Sequence, residues 1–184
     1  TGGERRTIHI GLDLYLPAGT PVAAPLAGTV VALADNDAPL DYGPTVILEH
    51  RPPACPPFWT LYGHLDHATL GRLALGDRVE AGELFAALGA PVENGGWAPH
   101  LHLQLITDRL GMTDDFPGVA PASQRALWLS VSPDTNLLTR VPPAAFPPDA
   151  PDADTLLAGR RAHVAPSLSV SYQRPLAIVR GRGA

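Results

Sequence analysis

The chain has a single cysteine, Cys55, set between prolines in RPPACPPF, so no internal disulfide can brace it and a disulfide scaffold is excluded. It also has no apolar run long enough to cross a bilayer, and the opening TGGERRT leads into no signal-like hydrophobic segment. No membrane partner is expected. Positive charge is in short supply: 13 Lys plus Arg stand against 18 Asp plus Glu, for a formal net charge of -5. The arginines are scattered and nowhere alternate with aromatics as a stacking groove requires, so nucleic acid is not an expected partner. Aromatics are few, with four Tyr and four Phe, whereas 18 Gly and 21 Pro favour many turns over long helices. There is no internal repeat, no Ser/His/Asp arrangement and no phosphate loop.

What is there suits one well-filled core followed by a tail, since 184 residues are too few for two large cores. Ile8 to Leu16 alternates apolar residues with His9, Gly11, Asp13 and Tyr15, the period of one half-buried strand with the polar set on one side. Further strands are expected over Thr29 to Leu33, Thr45 to His50, Phe58 to Leu65 and Leu101 to Leu105. RPPACPPF is too rich in proline to join a ladder and reads as a surface excursion. Leu70 to Leu88, punctuated by Gly76 and Gly82, suits small strands and tight turns, although Glu80 to Leu88 has helical propensity. A short helix is expected from Ala120 or Ser123 to Leu129. The expectation is an all-β domain of packed antiparallel sheets over residues 1–142, a linker rich in proline and aspartate over 143–159, and a separate segment over 160–184.

Chemistry-bearing side chains gather in three clusters beside strand-like runs: His9 and Asp13 in HIGLD, His64 in LYGHLDH, and His100 and His102 in PHLHLQ. A catalytic zinc takes about three protein ligands, with imidazole and carboxylate both suitable. His9, Asp13 and one histidine of the HLH pair meet that need, and the remaining histidines are suited to move a proton or stabilise an oxyanion. Alternation along Leu101, Leu103 and Leu105 sends His100 and His102 to one surface and the leucines to the core. His50, His67 and Cys55 read as residues without a catalytic role. Trp97 reads equally as a groove wall or a lid on the core. The competing readings are a polar row without metal and a non-catalytic metal-binding or docking module.

HIGLDLYLPAGTPVAAPLAGTV, LYGHLDHATLGRLALGDRVEAGELFAALG and PHLHLQL, in this order from about Ile8 to Ile106, resemble the lysostaphin-like zinc endopeptidases that cut peptidoglycan cross-links (family M23). The resemblance implies a barrel-sandwich-hybrid arrangement of antiparallel sheets, with zinc as cofactor and a peptide or peptidoglycan-type substrate. It further implies His9, Asp13 and His102 as metal ligands, and His64 and His100 as the catalytic pair. The chain departs from the family at Gln104, where an acidic residue is usual, and in GAPVENGGW before the HLH pair.

A second resemblance concerns the tail. LSVSYQRPLAIVRGRGA and the residues from 160 onward are similar to the opening of a class III pyridoxal-phosphate aminotransferase. This implies a fused aminotransferase domain in a longer parent protein, a cytoplasmic location, and a tail able to cross onto a second copy as a homo-oligomer contact. The chain contains no lysine to form a Schiff base, so pyridoxal phosphate is not assigned to it.

Overall fold

The computed structural model describes residues 4–53 and 55–133. The expected linker and aminotransferase-like tail lie outside the described residues. Ten strands, two short helices and a 3-10 turn occur in them, in accord with the all-β antiparallel expectation. The strands are β1 (Arg6–His9), β2 (Leu12–Tyr15), β3 (Pro21–Ala23), β4 (Gly28–Asn36), β5 (Gly43–His50), β6 (Phe58–Gly63), β7 (Arg78–Val79), β8 (Leu84–Ala87), β9 (His100–Ile106) and β10 (Val119–Pro121). Helix α1 spans His67–Arg72 and α2 spans Arg125–Val131, the latter entered through a 3-10 turn at Ala122–Gln124.

Six strands form the main sheet in the order β2-β9-β6-β5-β4-β7, and two-stranded sheets β1-β10 and β3-β8 complete the set. Every pairing is antiparallel. Both faces of the main sheet are covered, which explains why Val46, Ile47 and Leu48 in β5 form a continuous apolar run instead of alternating. On one face Val46, Leu48, Tyr62 and Leu101 pack with Phe85 and Leu88 from the β8 region. On the other, Ile47, Leu61 and Ile106 pack with Phe116 and with Trp128 and Val131 of α2.

This two-sided core sets the register of β9. Leu101 and Leu103 belong to the first face, and His100, His102, Gln104 and Ile106 alternate with them. A slip by one residue would exchange the leucines for the histidines, so apolar burial of about 1.5–3 kcal/mol per large side chain holds the polar row in place.

Three expectations are corrected. Ile8 to Leu16 is not one strand: the chain breaks at Ile10 and Gly11, where Ile10 N–H donates to the Gly118 carbonyl at 2.8 Å and Gly11 takes φ +124°. His9 and Asp13 therefore stand on different sheets. Second, the strand Phe58–Gly63 ends before LDH, and α1 begins there because the Asp66 side chain accepts from the Thr69 N–H at 2.8 Å as its N-cap. Third, short β3 and β10 carry almost no periodic pattern and were not expected. Glu80 to Leu88 does contain strand β8, as its alternation suggested over its helical propensity.

Candidate metal centre

Asp13 and His102 are cross-strand partners in the β2-β9 ladder, and Tyr15 and His100 are the next such pair on the same face. Opposed residues in an antiparallel pair bring side chains into contact, so two rungs suffice to assemble half the site. Asp13 Oδ1 lies 3.0 Å from His102 Nδ1. The Tyr15 ring stacks on His100 at a centroid distance of 4.9 Å.

His9 arrives from β1. The turn at Gly11 folds that strand back so that His9 Nε2 is 3.1 Å from Asp13 Oδ1 and 3.2 Å from His102 Nδ1. Gly11 is required on two counts: its positive φ, and the His102 ring, which lies 2.9 Å from where a Cβ would stand. The neighbour that needs that space is the His102 ring.

His9 Nε2, Asp13 Oδ1 and His102 Nδ1 thus form a triangle with edges of 3.0–3.2 Å. Bonds of about 2.0–2.2 Å around a tetrahedral zinc place ligand atoms roughly 3.3–3.6 Å apart, so a small outward movement seats an ion. Among the described residues this is the one group of three with metal-ligand spacing. Burial alone would raise the Asp13 carboxyl, but hydrogen bonds from His102 and His9 and their charges outweigh it and hold Asp13 far below the carboxylate range. These contacts favour the anionic form of Asp13.

His64 and His100 stand beside the triangle with ring centroids 4.1 Å apart, 5 % and 3 % exposed. Each has one nitrogen on a main-chain carbonyl: His64 Nδ1 donates to Asn94 O at 3.0 Å and His100 Nδ1 to Ala98 O at 2.7 Å. In both rings that choice of tautomer leaves Nε2 with a free lone pair. His100 Nε2 is 3.9 Å from Asp13 Oδ1. Burial, then the neighbouring His100, pushes His64 down to about 3, so its imidazole is neutral near pH 7. Burial also lowers His100.

The His64 backbone is held with φ +62°, a conformation that costs most residues energy. Its N–H donates to Tyr42 O at 2.8 Å and its carbonyl accepts from Gly89 N–H at 2.9 Å, so the strain is supported from both sides. Tyr42 lies under the site, its ring 5.7 Å from that of His64 and 5.1 Å from that of His102.

The structure therefore brings His9, Asp13, His102, His64 and His100 into one cluster. Trp97 borders it, half-buried, 6.2 Å from the His64 ring and 6.3 Å from the His100 ring. His50 lies elsewhere, buried, and bonded to Ala27 O and Thr60 Oγ1 at 2.9 and 2.7 Å. His67 is on the surface between Asp35 and Glu93, and Cys55 is exposed. Sequence reasoning missed Tyr15, Tyr42 and the carbonyls of Asn94 and Ala98. Tyr15 carries a usable signal, two residues beyond Asp13 on one strand face; the other three, drawn from loops, carry none.

Residues 7–113 match the family described as Peptidase family M23. No curated protein matches the chain. Among solved structures it is similar to the catalytic domain of a mutant prophage-encoded M23 protein, EnpA from Enterococcus faecalis, at 26% identity over 58% of this chain and 73% of that one, with a TM-score of 0.43. It is also similar to the catalytic domain of the antimicrobial peptidase lysostaphin from Staphylococcus simulans, at 22% identity over 65% and 78% of the two chains, with a TM-score of 0.41. With more than half of its length matched to the family, this chain belongs to peptidase family M23.

Proposed function

We propose that the domain is a zinc-dependent endopeptidase or amidohydrolase acting on peptidoglycan-type peptides, or on small peptides containing glycine or D-amino acids. The observation that carries this reading is the 3.0–3.2 Å triangle of His9, Asp13 and His102 flanked by two histidines with free Nε2 atoms. Family membership supports hydrolysis of a peptide bond, and the resemblance of the three sequence motifs to the lysostaphin-like endopeptidases supports the substrate class.

His9, Asp13 and His102 would hold the ion through two imidazole nitrogens and one carboxylate oxygen. Bound zinc supplies a Lewis acid that acidifies water and polarises a peptide carbonyl. His64 and His100 handle the proton. A neutral imidazole whose Nδ1–H is committed to a main-chain carbonyl accepts a proton from the attacking water at Nε2. Once protonated, the same Nε2–H is a donor for the developing oxyanion or for the leaving nitrogen. Tyr15, stacked on His100, limits rotation of that ring and so keeps its Nε2 aimed at the cluster.

Incubating the zinc-loaded chain with a panel of glycine-rich and D-amino-acid-containing peptides tests the reading. Cleavage that disappears with a chelator and in His64→Ala is expected. A panel without any cleavage dependent on both metal and His64 counts against it.

A further inference from the structure

Gln104 is 0 % exposed and lies two residues beyond His102 on the same face of β9. All of its polar capacity is engaged. Its Nε2 donates to Pro117 O at 3.2 Å and to Ser132 Oγ at 3.0 Å. The Ser132 hydroxyl donates onward to Leu105 O at 2.7 Å, so it meets Gln104 as an acceptor. The amide therefore has one sensible orientation, because turning it over would set Oε1 against the Pro117 carbonyl.

That orientation leaves Oε1 facing His102 Nε2 at 3.1 Å. The other neighbour, the Tyr42 hydroxyl, is 3.5 Å from Oε1 but 3.2 Å from Phe116 O, where its single proton has the shorter path. His102 Nε2 is consequently the donor in its bond to Gln104. Its Nδ1 faces Asp13 and His9 in the triangle and is the nitrogen that a bound ion would take in place of the hydrogen bond to Asp13.

We infer that Gln104 is a positioning residue that fixes the ring orientation of His102 and keeps its hydrogen on Nε2, with Ser132, just after α2, holding Gln104 in turn. Metal ligands depend on such outer partners, whose loss typically costs about 10- to 100-fold in affinity. The inference makes Ser132, 30 residues along the chain from His102, part of what sets metal affinity. It rests on the metal reading above.

The experiment is zinc affinity of the full chain by competition with a chromophoric chelator, for wild type, Gln104→Met, Gln104→Glu and Ser132→Ala, with thermal melting of the metal-free forms alongside. Gln104→Met fills the space without an acceptor, whereas Gln104→Glu keeps an oxygen toward His102 while losing the amide donor. Expected are a loss of roughly 10- to 100-fold in Gln104→Met, near wild-type affinity in Gln104→Glu, and an intermediate loss in Ser132→Ala. Equal losses in Gln104→Met and Gln104→Glu, or no loss in Gln104→Met, overturn the inference. If either variant does not fold, the wild type still decides: in the zinc-loaded protein the His102 Nε2–H should appear in the nitrogen-15 spectrum as a hydrogen-bonded proton in slow exchange with water. A freely exchanging proton there overturns the inference. A wild type that binds no zinc overturns the metal reading itself, a distinguishable failure.

Discussion

Asp13 and His102 face each other across the β2-β9 ladder, and their Oδ1 and Nδ1 atoms are 3.0 Å apart at the centre of the polar cluster. Asp13 is the one acid in the triangle it forms with His9 and His102. It is also the group that reconciles two imidazoles placed 3.2 Å from each other.

Asp13→Asn preserves the shape and removes the charge. Zinc affinity should fall by more than the roughly 100-fold upper range for outer partners, since a ligand itself is changed. Elemental analysis and chelator competition read this directly, and retention of wild-type stoichiometry and affinity contradicts the assignment.

Gly11→Ala should damage both stability and metal binding. The new Cβ would stand 2.9 Å from the His102 ring and 3.0 Å from Leu103 O, at φ +124°. Backbone strain alone is about 1–3 kcal/mol, and displacement of His102 adds to it. A lowered melting temperature in metal-free protein together with weakened zinc binding is the expected pair of results; a neutral substitution would show that β1 and β2 meet differently.

His64→Asn separates chemistry from metal binding. Asparagine tolerates the φ of +62° that His64 adopts, so the backbone survives. The zinc content should stay at the wild-type level, because the His64 ring is 6.4 Å from that of His102 and outside the triangle. Peptide cleavage should drop about 10²- to 10⁴-fold, the usual contribution of a positioned proton-transfer group. Loss of zinc in this variant would reassign His64 as a ligand.

The surface pair network gives a pH signature. His67 Nε2 is 3.0 Å from Asp35 Oδ2 and Nδ1 is 3.3 Å from Glu93 Oε1. Slight burial opposes the charge, but bonds to Asp35 and Glu93 outweigh it and raise His67 above 6.5. A raised histidine contributes stability that is fully present below pH 6.5, where both folded and unfolded chains carry the proton, and that is lost as pH rises through the folded value. Urea unfolding of metal-free wild type and His67→Gln should therefore differ at about pH 5.5 and converge at about pH 8.5, by about 0.2–1 kcal/mol for so exposed a pair. A gap that widens with pH contradicts the pairing.

Much of this site was legible because period-2 alternation puts His100, His102 and Gln104 on one face whatever the rest of the chain does. His9 and Asp13 were legible as residues but not as geometry. Alternation continues unbroken through Ile10 and Gly11, and only the tertiary pairing of β1 with β10 shows that the chain turns there. β3 and β10, three residues each, are held by their partners and have no pattern of their own. The N-cap of α1 was readable in Asp66 to Thr69, but the strand-like run before it hid the signal. Tyr42 and the Asn94 carbonyl come from loops whose path depends on packing against each other.

The break at Gly11 also bears on when the three-residue cluster can form. Because His9 belongs to the β1-β10 sheet while Asp13 and His102 belong to the main sheet, the three donors converge only after both sheets have docked, and β10 lies more than 100 residues after β1. A chain in which β1 has not docked presents only the Asp13 and His102 pair, two of the three donors. If the proposed zinc site holds, full three-donor metal binding would report completed assembly of the two sheets.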